Sequence, residues 1–370
     1  MTSPIRSALS SDKPRFVGEK VELEKLCAKG KSSLRQKDLL NDGPYPVYGA
    51  SGIIGTMSTY QNDAPYVCIV KDGAGVGRAM KCRARSSVLG TMQALIPGEG
   101  INCDYLLHLV RSLKLGEGFT GSTIPHIYFR DYGKRLVPVF PYEQQIAIAS
   151  MLNGIEALVD QRKLMLRKCD SLVKSRFVEM FGALAPSVPI AEACSEFVDG
   201  DWIESKDQSE SGIRLIQTGN IGNGVYLNKG NRSRYISEQT FHELKCKEVF
   251  GGDILISRLP DPVGRACIAP SGSERYIAAV DCSITRLNKE WDSTYFVYFT
   301  MTDEYGLQIK NYLTGTTRKR ISRSNLGKIK IPAAPFELQQ EFASFVSQVD
   351  KLRFAGNHEM NFRCERFTLS

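Results

Sequence analysis

The stretch "GSTIPHIYFRDYGKRLVPVFPYEQQ", Gly121 to Gln145, decides how the chain must be read, because nearly the same sentence returns as "GTTRKRISRSNLGKIKIPAAPFELQQ", Gly315 to Gln340. The copies align without a gap from Gly121 to Gly315, an offset of 194. Ile127 meets Ile321, Gly133-Lys134 meet Gly327-Lys328, Pro138 and Pro141 meet Pro332 and Pro335, and Glu143 and Gln145 meet Glu337 and Gln339. Each copy runs from a small-residue turn through an apolar elbow with two prolines into a helical pattern. A period this long is far beyond that of a solenoid repeat and implies two domain-sized units, each followed by one helix.

A weaker echo lies upstream. "YVCIVKDGAGVGRA" (66–79) resembles "DILISRLPDPVGRA" (253–266): a strand-like apolar run, a basic residue, a turn, then Val-Gly-Arg-Ala. A chain of 370 residues has room for two domains, and a hydrophobic content of 42% builds ordinary cores. The N-terminus lacks a signal-peptide core, and no apolar run reaches membrane-spanning length, so the expected setting is cytoplasmic, with no membrane partner. Ten cysteines occur without zinc-ligand spacing. Most, such as Cys68 in "YVCIV", lie in apolar runs and read as small buried hydrophobes in a reducing compartment.

Net charge is +8, and from Tyr305 to Pro335 seven basic residues occur without an acid. Such a stretch is the footprint of a polyanion partner or, more blandly, a solvated loop. The loop that carries it sits at the same structural place in both units, which favours the first reading.

Glu143 to Gly182 has no proline and one internal glycine, Gly154. Stepping by four and three, positions 148, 152, 155, 159, 162, 166, 169, 173, 176 and 180 read Ile, Leu, Ile, Val, Arg, Leu, Cys, Val, Arg, Met. That is a coiled-coil seam, carried by Ile148, Leu152, Ile155, Val159, Leu166 and Val173, on a rod of roughly 60 Å. The second helix, from Glu337, offers Phe342, Phe345, Val346, Val349 and Leu352 as the partner stripe. Gly356-Asn357 weakens it, and the stripe beyond is poor.

An enzyme reading finds little to stand on. "KDGAGVG" (71–77) is neither G-x-G-x-x-G nor a P-loop, and the corresponding "RLPDPVG" has lost most of its glycines. A β-turn survives that exchange; a phosphate cradle does not. "DAPY" (63–66) lacks a proline that the adenine-methyltransferase signature needs. The four histidines show no metal spacing and no nucleophile partner, so no catalytic residue and no metal ligand is assigned. His126, the one in the repeated block, has Arg320 as its counterpart, an exchange that suits a phosphate or base contact.

The two repeat blocks, with their Pro-x-Glu-x-Gln elbow and the "KSRFVEMFG" helix end, resemble the conserved regions of specificity (S) subunits of type I restriction-modification enzymes. The resemblance implies an α+β fold with two pseudo-twofold-related target recognition domains joined by two long antiparallel coiled-coil helices. The expected divisions are residues 1–142, the helix 143–182, residues 183–335 and the helix 336–370. Each domain would read one half of a bipartite site on double-stranded DNA. Methyltransferase subunits would dock on the helices, a restriction/translocase subunit would join them, and this chain would have no active site. It would bind no cofactor; S-adenosylmethionine, ATP and Mg2+ would sit on the partner subunits. The DNA-facing candidates are Thr123, His126, Tyr128 and Arg130 in the first loop and Thr317, Arg318, Lys319, Arg320 and Arg323 in the second. Lys71 with Arg78, and Arg258 with Arg265, join them at the paired glycine turns. The alternatives are a DNA-recognition scaffold of a related defence system and a self-contained DNA methyltransferase.

Overall fold

A computed structural model describes residues 19–121 and 124–364. The chain divides into two units, Met1–Gln161 and Arg162–Ser370, and the division falls inside the long helix Tyr142–Phe181.

In the first unit, Glu19–Glu22 pairs antiparallel with Leu136–Val139, tying the start of the described chain to the proline elbow. A four-stranded antiparallel sheet has the order Cys27–Lys29, Met92–Pro97, Tyr66–Val70, Ala79–Cys82. Its central strand is apolar throughout because both faces are covered. Val67 and Ile69 point into a core with Leu106, Leu109 and Val110 of the helix Cys103–Ser112. Tyr66, Cys68 and Val70 point the other way, into a core with Tyr48, Val88 and Met92. The period-two alternation of a strand thus sorts one run of five residues into two cores. The second of these cores joins a small sheet of Gly52–Met57, Tyr45–Gly49 and Ser87–Val88.

The second unit repeats the plan. Pro186–Pro189 pairs with Lys330–Pro332. The sheet Cys194–Asp199, Cys282–Leu287, Ile254–Ser257, Ala266–Ile268 matches the four-stranded sheet of the first unit. Ile254 and Ile256 enter the core with the helix Ser293–Phe299, while Leu255 enters another with Ile284 and Cys267. The units differ in their second sheet, which here has five strands in the order Gln208–Ser209, Arg234–Ile236, Ile213–Ile216, Tyr276–Ala278, Glu248–Val249.

The upstream echo is a pair of β-hairpins: Tyr66–Val70 returns as Ala79–Cys82, and Ile254–Ser257 as Ala266–Ile268. Gly77 and Gly264 have φ of 84° and 87°, and each donates its N–H at 2.8 Å to the end of the incoming strand, Val70 or Ser257. The turn, not a phosphate cradle, is what the two units share.

The long helix serves both units. Ile148 and Ala149 pack into the first unit's core. In the second unit, Val173, Phe177 and Phe181 join Phe342, Val346 and Val349 of the helix Phe336–Cys364 in a single core. Phe342 meets Phe177 and Phe181 edge-on, with ring centroids 5.3 and 5.7 Å apart. Arg176 pairs with Glu341 at 2.9 Å, and Asp170 with Arg353 at 2.6 Å. Moving backward along one helix advances along the other, so residues 162–181 and 336–353 run antiparallel. Arg162, a polar member of the seam, is buried and donates to the Arg353 carbonyl. Leu152, Val159 and Leu166 are half-buried. Ile155 departs from expectation, being 37% exposed. A helix of 3.6 residues per turn drifts by about 20° per heptad against a strict 3.5-residue step, so such a list does not stay centred. Gly356 does not end the second helix, whose backbone continues to Cys364; one glycine costs only about 1 kcal/mol.

Candidate nucleic-acid interface

The repeated loops are closed by the same backbone ladder. In the first, Thr120 and His126 exchange N–H···O bonds of 2.9 and 2.8 Å; in the second, Thr314 and Arg320 exchange bonds of 2.9 and 2.8 Å. Gly121 and Gly315, at φ of 96° and 93°, make the turn, and a Cβ at either would run into the carbonyl oxygen of Ile124 or Arg318. Only glycine fits there. The next residue anchors each loop. Buried Ile127 donates its N–H to Lys71 at 3.0 Å, and buried Ile321 to Arg258 at 3.2 Å. Each loop is thereby fixed to its glycine hairpin, and Lys71 with His126, like Arg258 with Arg320, come together in space.

In the first unit, His126 Nδ1 lies 2.8 Å from Asp72 Oδ1, which fixes the imidazole, and the Tyr128 ring stacks beside it at 6.4 Å. The Arg130 guanidinium lies 4.9 Å from the centre of the exposed Tyr128 ring, a cation–π contact. Lys71, Gln93, Tyr128 and Arg130 line one open cleft. Arg78 is exposed and, among the described residues, reaches the Gly75 carbonyl at 3.4 Å. Thr123 lies outside the described residues.

In the second unit, Thr317, Arg318, Lys319 and Arg320 are all exposed, and none of the three cations is engaged by a side chain among the described residues. The other arginines assigned to this face require correction. Arg265 is buried, and its guanidinium donates to the carbonyls of Ile221 at 2.6 Å, Thr218 at 2.7 Å, and Leu259 and Pro262 at 2.8 Å. Burial lowers its pKa, and a buried guanidinium must fill its donors with protein oxygens. It clamps three segments together and is unavailable to DNA. Arg258 donates to Val280 O at 2.6 Å and lies 3.3 Å from Asp199. Arg323 donates to Phe197 O at 2.8 Å and sits 3.7 Å from the same carboxylate. Asp199 thus neutralises two of the expected contacts, leaving Arg318, Lys319 and Arg320 as the free charge of the loop.

Two features escaped the sequence reading. Trp202 is 71% exposed, immediately after Asp201, which bridges to Ala279 beside the strand Tyr276–Ala278. The turn "NKGNRSR" (228–234) holds Lys229, Arg232 and Arg234, all exposed. Three cations without an acid in seven residues were a legible signal, but this turn lies outside the repeated block and so lacked the support that recurrence gave the other loop.

Residues 195–361 match the family model described as the type I restriction modification DNA specificity domain. That match lies within the second unit and covers somewhat less than half of the chain. A curated relative, the type I restriction enzyme MjaVIII specificity subunit of Methanocaldococcus jannaschii, is 23% identical over 281 residues, covering 66% of this chain and 64% of the relative. The match therefore spans somewhat less than two thirds of that protein. The crystal structure of a type I restriction-modification S subunit from M. genitalium shares the fold, with a TM-score of 0.62, 14% identity, and coverage of 97% of this chain and 96% of that one. A chain from a structural study of type I R-M complex assembly and conformational transition superposes with a TM-score of 0.51 at 18% identity, over 94% of each chain.

Proposed function

We propose that the chain is the DNA-reading, non-catalytic subunit of a type I restriction-modification assembly, with each unit reading one half of a bipartite duplex site. The observation that carries this is the matched loop: one backbone ladder, held at one place in each unit, presents His126, Tyr128 and Arg130 in the first unit and Arg318, Lys319 and Arg320 in the second. Identical scaffolds bearing different side chains suit two different half-sites. Arginine is well suited to guanine edges in the major groove, and lysine to phosphates. The setting is the cytoplasm, where the DNA is; among the described residues no helix is long and apolar enough to cross a membrane.

Methyltransferase subunits are the partners of the long helix, and a restriction/translocase subunit joins the assembly; S-adenosylmethionine, ATP and Mg2+ belong to those chains. The helix supports this with a second apolar line facing solvent: Met151, Leu158, Met165 and Leu172, seven residues apart, are 61, 53, 44 and 53% exposed. Such a line on a soluble rod marks a protein contact.

Methylome sequencing of cells with and without this chain, alongside its cognate methyltransferase subunit, tests the reading. A split adenine-methylated motif that disappears with the chain is expected; an unchanged methylome sinks the proposal.

A further inference from the structure

We infer that the turn Asn228–Arg234 is a second phosphate-gripping element of the second unit, acting on the same DNA half-site as the loop Thr314–Ile321; this rests on the DNA-reading role proposed above. The first observation is that the turn is built rather than loose. Arg214, almost fully buried in the strand Ile213–Ile216, donates Nη2 to Asn228 Oδ1 at 2.6 Å and to Ser233 Oγ at 2.8 Å, fastening both ends of the turn with one guanidinium. Its other arm reaches Glu274 at 3.2 Å. Asn228 Oδ1 also accepts the Gly230 N–H at 3.0 Å, and the Ser233 hydroxyl donates to Gly230 O at 2.7 Å. A buried charge is costly and is retained here in a fork that fixes six residues of surface chain.

The second observation is what that fixed chain displays. Lys229, Arg232 and Arg234 are exposed, and none has an ion-pair partner among the described residues. Like charges held close on a rigid turn repel one another until a polyanion screens them. A preorganised cationic turn binds such a partner without further ordering cost.

The third observation places the turn. In the sheet, Leu215 lies opposite Arg234, and Ile216 lies beside Ala278 in parallel register, so Arg234, Gln217 and Ala279 mark one end of three neighbouring strands. Arg258 reaches Val280 just past that end, and Ile321 donates to Arg258 O. Arg265 spans the gap, bonding Thr218 on one side and Leu259 on the other. The turn and the loop are therefore on the same edge of one rigid unit. A duplex lying along that edge offers phosphates to both, and DNA is the polyanion that the free cations of the loop already suit.

Binding of the full-length chain to a random-sequence duplex across a salt series tests this, with thermal melting as the folding control. The triple variant Lys229→Ala/Arg232→Ala/Arg234→Ala should melt like wild type and lower the slope of log affinity against log salt by about two to three units, at about 0.9 per phosphate. Lys319→Ala/Arg320→Ala should lower it separately. If the double variant loses slope and the triple does not, the turn proposal fails while the DNA reading stands. If wild type shows no salt-dependent DNA binding, the DNA reading itself fails and takes the turn with it. Should the triple variant not fold, Arg232→Gln alone, at the exposed tip, answers the same question: a loss of about one unit of slope supports the turn, and an unchanged slope overturns it.

Discussion

Gln339 closes the second unit with the hydrogen bonds that Gln145 makes in the first. Gln145 Oε1 accepts the Asn102 N–H at 2.9 Å, and Gln339 Oε1 accepts the Asp292 N–H at 2.9 Å. Their amide groups donate to Gly100 and Phe140 carbonyls in one unit and to Glu290 and Ala334 in the other. Asn102 and Asp292 are the N-caps of the helices Cys103–Ser112 and Ser293–Phe299, so each glutamine joins a long helix, a capped helix and the proline elbow. Tyr105 and Tyr295 add the same bond, at 2.8 Å, to Pro138 and Pro332 carbonyls. This strap explains why Gln, and not merely a polar residue, ends the repeated Pro-x-Glu-x-Gln elbow.

Gln145 and Gln339 are themselves buried, and replacing either by Leu removes the partner of one N–H and two carbonyls. Each substitution should cost about 2–4 kcal/mol in urea unfolding. A loss below about 0.5 kcal/mol in either unit would show that the strap is not structural there.

Arg265 and Arg320 separate stability from DNA binding. Arg265→Met removes four carbonyl partnerships inside the second unit and should lower its stability by about 3 kcal/mol without flattening the salt slope. Arg320→Ala should leave the melting temperature unchanged and, if the residue reads a guanine, cost about 1–3 kcal/mol at one base of one half-site. Melting curves and half-site mismatch titrations distinguish the two, and the opposite pattern would reverse the assignment.

Leu172 and Val173 are chain neighbours with opposite fates. Val173 is fully buried against the second unit, while Leu172 is 53% exposed. Val173→Asp should destabilise that unit by several kcal/mol, since it buries an unpaired charge. Leu172→Asp should leave folding intact yet abolish co-purification with a methyltransferase subunit. Retained co-purification would place the partner elsewhere.

Glu248 gives the second unit an acid-sensitive component. Its bond of 2.6 Å to Arg275, which also holds Glu238, keeps its pKa below the ordinary carboxylate value. A depressed folded-state pKa contributes stability above the unfolded-state value, about 4.3, and that stability is lost as pH falls through the folded-state value. Unfolding of Glu248→Gln should show a shallower loss of stability below about pH 4.5 than wild type. Identical pH profiles would dismiss the pair as an acid-sensitive contributor.

The chain wrote its architecture openly because an offset of 194 fixes glycines, prolines and glutamines whose demands are local: a positive φ, an elbow, a strap. The helix Tyr142–Phe181 was legible to within a residue of its ends, since proline-free 3.5-residue periodicity leaves little choice. The unequal second sheets, of three and five strands, were not legible, because short strands such as Gln208–Ser209 and Glu248–Val249 carry no periodic signal and exist only through their partners.

By itself, then, the sequence determined two units of one plan, the long helix that follows the first of them and two loops of different side-chain character at one place in that plan. Only the tertiary structure decided which cations are free. Arg258, Arg265, Arg320 and Arg323 look alike in a string of letters. Asp199, brought in from a strand more than fifty residues upstream of Arg258, neutralises two of them, and carbonyls of two segments, 218–221 and 259–262, consume a third. Arg320 is left exposed, with no side-chain partner among the described residues. The charge of a side chain is a property of the residue, but its availability depends on which oxygens the fold brings within hydrogen-bonding reach, and that is settled by contacts distant in sequence.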